Sequence, residues 1–132
     1  MPADPFDGDD LSGRHFHRTK MAGAHFDGVD LSSARFFAVL EGAQFTDTNL
    51  AAARFNDVNL SGATFDNINM SGGSVNNANL SGVTITAANL SGMQIDGADL
   101  TGGDIRNANL EGMRIDGVLV SDLFAAYEGH KR

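Results

Sequence analysis

The sequence has no cysteine, which excludes disulfides, thiolate metal sites and a cysteine nucleophile. It has no tryptophan, one tyrosine and nine phenylalanines in 132 residues. That is a thin supply for a round core, although 42% apolar content suffices for an elongated one. No apolar run approaches the roughly 20 residues that cross a bilayer. The opening MPADPFDGDD offers neither a basic region nor an apolar stretch of the secretory kind, so the expectation is a cytoplasmic protein without membrane partners. Cations are scarce: nine Lys and Arg stand against seventeen Asp and Glu, for a net charge of -8. Nucleic acid is a poor partner for such a surface.

Catalytic groupings are missing too. The glycines recur at a fixed interval and form no phosphate loop, and Ser61, Ser71, Ser81 and Ser91 keep the same spacing rather than gathering near a His and an Asp. Of His15, His17, His25 and His130, only the pair flanking Phe16 is close enough to share a ligand. No catalytic residue, cofactor site or metal site is expected, and the chain does not read as an enzyme.

What the chain has in quantity is a beat of five. From Ala43 to Gly117 every fifth residue is large and apolar: Phe45, Leu50, Phe55, Leu60, Phe65, Met70, Val75, Leu80, Ile85, Leu90, Ile95, Leu100, Ile105, Leu110 and Ile115. This period fits neither the helical repeat of about 3.6 nor the strand repeat of two. A rougher version starts at Phe6 and runs through Phe36, where the interval to Leu40 shrinks to four residues. Two kinds of pentad alternate. One is Ala-Asn-Leu-Ser-Gly, as at Ala78–Gly82 and Ala88–Gly92; the other centres on Phe early and on Val or Ile later. The repeat is therefore ten residues, and two tens make twenty.

The runs AANLSG, NANLSG, GADLTG and NANLEG resemble the A(D/N)LXX signature of the pentapeptide-repeat family. The resemblance implies an all-β fold, a right-handed quadrilateral β-helix with one pentad per side and four per coil. It also implies that the central large residue and the small residue two before it point inward. Such pentads cannot bury their apolar pair alone, but stacked coils bury it continuously. Over residues 4–120 this gives about six coils, spaced at the ~4.8 Å of any β ladder. A tail at 1–3 precedes them, and a short helix at 121–132 follows.

Several details follow from that reading. The last position of most pentads is Gly, Asn or Asp, residues that tolerate the positive φ of a tight corner. Ala52 and Ala87 break the rule, so their corners are expected to differ in turn type. The Asn before each Leu-type centre is expected to bond its neighbours in the stack and the corner backbone. Two pentads, Gly73/Val75 and Gly103/Ile105, are small at both inward places. Met93 is expected to fill the first gap and a side chain of the C-terminal segment the second.

The irregular margins carry the functional expectations. At the four-residue pentad, Phe37 occupies a normally outward position. It either lies over a neighbouring coil or marks a contact surface. At the end, Ser121 reads as an N-cap, Asp122 suits the first turn and Gly129 reads as a stop, giving a helix over about 121–128 that is closed by Lys131 and Arg132. Leu123, Phe124 and Tyr127 share one face of it. That helix either caps the open end of the last coil or joins a two-fold homodimer, as in some members of the family. The chain reads as a non-catalytic solenoid that binds an unidentified protein partner. The alternative, which the resemblance supplies, is an acidic DNA mimic directed at DNA gyrase, conferring quinolone resistance or toxin immunity. The scatter of Asp47, Asp57, Asp66, Asp96, Asp99, Asp104 and Asp116 over several faces counts against it.

Overall fold

The computed structural model describes residues 8–130. The expected tail at 1–3, the first beat at Phe6 and the cations Lys131 and Arg132 lie outside the described residues. Twelve short strands precede one helix. In chain order they are β1 (His15–Lys20), β2 (His25–Asp27), β3 (Arg35–Val39), β4 (Gln44–Thr46), β5 (Arg54–Asn56), β6 (Thr64–Asp66), β7 (Ser74–Asn79), β8 (Thr84–Thr86), β9 (Gln94–Asp99), β10 (Asp104–Arg106), β11 (Arg114–Ile115) and β12 (Val118–Leu119), with α1 at Val120–His130.

Apart from β12, odd and even strands separate into two parallel sheets, ordered β1-β3-β5-β7-β9-β11-β12 and β10-β8-β6-β4-β2. Between them run two columns of single bridges, Asp10–Asp30–Asn49–Asn69–Asn89–Asn109 and Val39–Asn59–Asn79–Asp99. Four columns per circuit make a quadrilateral β-solenoid of about five turns. The sequence period gives about six. The last turn is cut short where β12 folds back antiparallel onto β11.

In the middle turns the inward pair of the pentad is buried as expected, for example Ala53 with Phe55 and Val58 with Leu60. Two ladders of phenylalanine run up the interior. Phe16, Phe36 and Phe55 stack at 4.9 and 4.6 Å, and Phe26, Phe45 and Phe65 at 4.6 and 4.7 Å. The ladders meet edge to face, Phe36 on Phe45 at 6.4 Å and Phe55 on Phe65 at 6.5 Å. Parallel rings one rung apart match the sheet spacing, so aromatic packing and the backbone ladder favour the same rise. Thr48 is the one buried polar residue among those described; its hydroxyl donates to the carbonyls of Thr46 at 2.8 Å and Phe26 at 3.2 Å.

Three expectations fail in instructive ways. Ala52 and Ala87 turn their corners with φ of 60° and 53°, like the Gly and Asn corners, so the turn type is kept at a cost in strain. No space exists at Gly73, because a Cβ there would lie 3.1 Å from the carbonyl oxygens of Ala53 and Met70. Backbone closes that gap, and Met93 is buried in its own column. At the second gap no described side chain of the C-terminal segment buries Ile105, which stays 37% exposed.

The asparagines also divide differently. Asn49, Asn59, Asn69, Asn79, Asn89 and Asn109 each accept, through Oδ1, the backbone N–H two residues on, at 2.9–3.1 Å. Asp10 and Asp99 do the same, and Ser12 and Thr101 add hydroxyl bonds of 2.6 Å. Those hydroxyls, then the amides, hold both carboxyls below the ordinary carboxylate range. Bonds between turns occur on other columns, from Asn67 to Asp47 at 2.7 Å, from Asn77 to Asp57, and from Thr86 to Asp66 at 3.0 Å.

Candidate functional site

The solenoid breaks its regularity at two places. The first is the four-residue pentad. In β5 and its successors the chain turns a corner after the inward aromatic or aliphatic residue, with positive φ at Asp57, Asn77 and Gly97; Arg18 is the matching corner of the first turn. The second turn has no residue at that place. β1 pairs with β3 as His17↔Phe37 and then Thr19↔Ala38, so Arg18 has no counterpart. β3 runs straight instead, with Arg35, Phe37 and Val39 outward and Phe36 and Ala38 buried. A pentad short of one residue keeps the two-residue alternation of a strand and loses its corner.

The missing corner leaves a notch. A groove of about 640 Å³ is lined by Arg18, Thr19, Lys20, Phe37, Ala38, Val39, Asp57, Val58, Asn59 and Asn77. A second, of about 340 Å³, adjoins it across Phe37 and Asp57 and reaches His15, His17, Arg35 and Arg54. Of the two expectations for Phe37, the structure shows the first, that it lies over a neighbouring turn. It leans edge-on against His17 of the preceding turn, with centroids 5.1 Å apart, and it remains 38% exposed.

The face around the notch is cationic in an acidic chain. His15, Arg35 and Arg54 occupy one column on consecutive turns. Arg14, Arg18, Lys20, Arg35 and Arg54 are five of the nine Lys and Arg in the sequence. Among the described residues the one ion pair joins Arg106 to Asp104 at 2.9 Å, so the side chains of Arg18, Lys20, Arg35 and Arg54 have none. Sequence reasoning missed this column. The short pentad makes its pairs 19 residues apart across the second and third turns, as in Arg35↔Arg54, so a count by twenties passes over it.

The second irregular place is the C-terminal end. α1 starts one residue before Ser121, and the Val120 N–H donates to the Met113 carbonyl at 3.0 Å. Ser121 is therefore not the cap. The helix passes through Gly129, which is not its stop, to His130. Val120 and Met113 are buried together at the junction, while Leu123, Phe124 and Tyr127 are 47%, 57% and 61% exposed. Beyond Val120 the helix does not cover the last turn, where Leu100, Leu110 and Ile115 are half-buried.

His15 and His17 stand on the outer face of β1, and His25 lies in the other sheet. No group of three or more His, Cys, Asp or Glu among the described residues could hold a metal ion. No helix among them is long and apolar enough to cross a membrane.

The profile of the pentapeptide repeat region matches residues 38–115, more than half of the chain. No curated protein matches. Among solved structures, the chain is similar to Rfr23, a pentapeptide repeat protein of the cyanobacterium Cyanothece 51142, with 24% identity, 83% of this chain and 85% of that one covered, and a TM-score of 0.41. For alr5209, a pentapeptide repeat protein of Nostoc Pcc 7120, the identity is 22%, the coverage 83% and 85%, and the TM-score 0.45. For trypsin-treated R167E QnrB1, a plasmid-mediated fluoroquinolone resistance protein, they are 19%, 97% and 92%, and 0.36. With the five-residue period, the quadrilateral stack and the profile match in agreement, the chain belongs to the pentapeptide repeat family.

Proposed function

We propose that the protein is a non-catalytic, protein-binding solenoid that associates with a second copy of itself through its C-terminal end. One observation carries this reading. Among the described residues the exposed large hydrophobic ones are Phe37, Val39, Ile105, Val118, Leu123, Phe124 and Tyr127. None lies in the regular middle; two are at the notch and five at the C-terminal end. Exposed apolar surface gathered in this way marks association surfaces. At that end a helix carrying two aromatics stands beside a last turn whose β10 is an unpaired sheet edge. A two-fold contact would cover both the apolar residues and that edge at once.

The gyrase-directed mimic has weaker support. A DNA mimic needs free carboxylates spaced like phosphates. Here Asp10, Asp30, Asp47, Asp57, Asp66, Asp99, Asp104 and Asp116 accept hydrogen bonds within the fold. They are divided among several columns, diluted by Asn and Thr on neighbouring turns.

Light scattering on the full chain tests the reading. The expected mass is twice the 13.9 kDa of one chain, falling to the single value in a Leu123→Ser/Phe124→Ser variant. A full chain that stays monomeric at about 100 μM, far above the concentration at which a stable interface holds, would overturn it.

A further inference from the structure

We infer that the notched face of the first three turns is a docking site for an acidic, extended segment of a partner protein, with an apolar side chain of that segment seated against Phe37 and Val39. This rests on the protein-binding reading above but concerns the opposite end of the rod.

Charge sets the chemistry of the occupant. In a chain of net charge -8, exposed Arg18, Lys20, Arg35 and Arg54 have no ion-pair partner among the described residues, although many carboxylates of the chain are bonded within it. Through the third turn the one carboxylate lining the grooves is Asp57, which accepts from the Asn77 amide. The face therefore presents a local positive field, and an anionic segment is its complement.

Register sets the shape. Arg35 and Arg54 sit on hydrogen-bonded neighbouring strands in the same column as His15. Three rungs at ~4.8 Å give a stripe about 10 Å long, the length of three to four residues of extended chain at ~3.3 Å each. Beside the stripe lies the notch, walled by Phe37, Ala38 and Val39 with no corner residue above it. Acidic residues along the column and one apolar residue turned into the notch satisfy both surfaces at once. Guanidinium groups suit carboxylates in particular, because their fork donates two parallel N–H bonds to the two oxygens of one carboxylate.

Duplex DNA fits less well. Four cations neutralise few phosphates, and the rest of the surface repels the duplex. An anionic membrane would meet only two exposed apolar side chains on this face.

A display library of random dodecapeptides, selected on immobilised full-length protein, provides the test. The expected winners are rich in Asp and Glu and carry an aromatic or large aliphatic residue. A winning peptide, made synthetically, should bind about tenfold or more weakly to the Arg35→Glu/Arg54→Glu variant and to Phe37→Ser, and more weakly as salt rises. Both variants change exposed positions, and circular dichroism with an unchanged light-scattering mass checks that they fold. Winners without acidic bias, an empty selection, or equal binding by the charge-reversed variant would overturn the inference. So would a short DNA duplex or phosphatidylserine vesicles binding the wild type more tightly than any selected peptide. Light scattering reads the C-terminal association separately, so either idea can fail alone.

Discussion

Replacing Phe55 by alanine should divide the rod into two regions of unequal stability. Phe55 is 1% exposed, stacks on Phe36 at 4.6 Å, meets Phe65 edge-on at 6.5 Å and pairs in register with Val75. Truncation of a buried phenylalanine costs about 3–5 kcal/mol, a large share of the 5–15 kcal/mol that holds a typical domain together. In a solenoid that loss belongs to the contacts between neighbouring turns. The turns before it depend on those contacts most. Leu11, Phe16 and Met21 are only half-buried, whereas Leu80, Ile85 and Leu90 on the other side are fully buried. Native-state hydrogen exchange is the assay. Amides of β1 and β3 should lose roughly 150-fold in protection, the equivalent of about 3 kcal/mol. Those of β7 and β8 should change by less than about tenfold. An equal loss in β1, β3, β7 and β8 would refute the reasoning, because it would mean that the turns open as one unit. A loss below about threefold in β1 would refute it too.

Three further perturbations bear on the corners and the notch. Ala87→Gly should raise stability by about 0.5 kcal/mol in urea unfolding, because relief of strain at φ 53° exceeds the extra chain entropy of glycine; a loss would show that the alanine corner is unstrained. Asp99 is held below its ordinary pKa by Thr101, so its contribution is present above about pH 3.8 and fades as pH falls through the lower folded value. Asp99→Asn keeps the acceptor for the Thr101 amide and removes the titration, so its loss of stability between about pH 5 and pH 2.5 should be smaller than that of the parent. Inserting one glycine between Phe37 and Ala38 restores a residue to the empty corner between Arg18 and Asp57. Circular dichroism should show an unchanged fold while binding of any selected acidic peptide is lost, and a failure to fold would mean that straight β3 is a packing requirement.

The solenoid was legible because its chemistry repeats. A large residue every fifth place and a small one two before it leave few ways to bury both, and the observed columns, such as Phe55–Val75–Ile95–Ile115, follow from the count by twenty. The left-handed corners at Gly and Asn, such as Gly62 and Asn67, were legible in position and conformation, whereas those at Ala52 and Ala87 were legible only in position. Ala52 and Ala87 adopt the left-handed geometry because hydrogen bonds from the neighbouring turns, such as Ala52 N–H to the Ser71 carbonyl at 2.9 Å, outweigh a local preference. Packing at Gly73 was misread because residue volume alone does not reveal backbone approaching from the turn before. The helix bounds were off by one and two residues for a similar reason: Val120 is anchored by Met113, a partner invisible to local capping rules.

The candidate site was legible only in part, and the reason lies in the repeat itself. Phe37, Leu123, Phe124 and Tyr127 stand out because each breaks a pattern, and all four are exposed. The cationic column does not break the local pattern, since an outward Arg before an inward Phe is an ordinary residue of a pentad, as at Arg35 and Arg54 alike. It becomes a surface only when the one-residue deletion brings residues 35 and 54 into register and removes the corner between them. A deletion in a solenoid therefore does two things at once: it realigns the columns on either side of it, and it opens a notch where a corner should be. Both effects act on the outer face, while the inward Phe36–Phe55 stack is maintained at 4.6 Å. The core tolerates the change because β3 keeps its alternation through Ala38. In a fold whose regular turns have little to distinguish one from another, a missing residue can supply a distinct address.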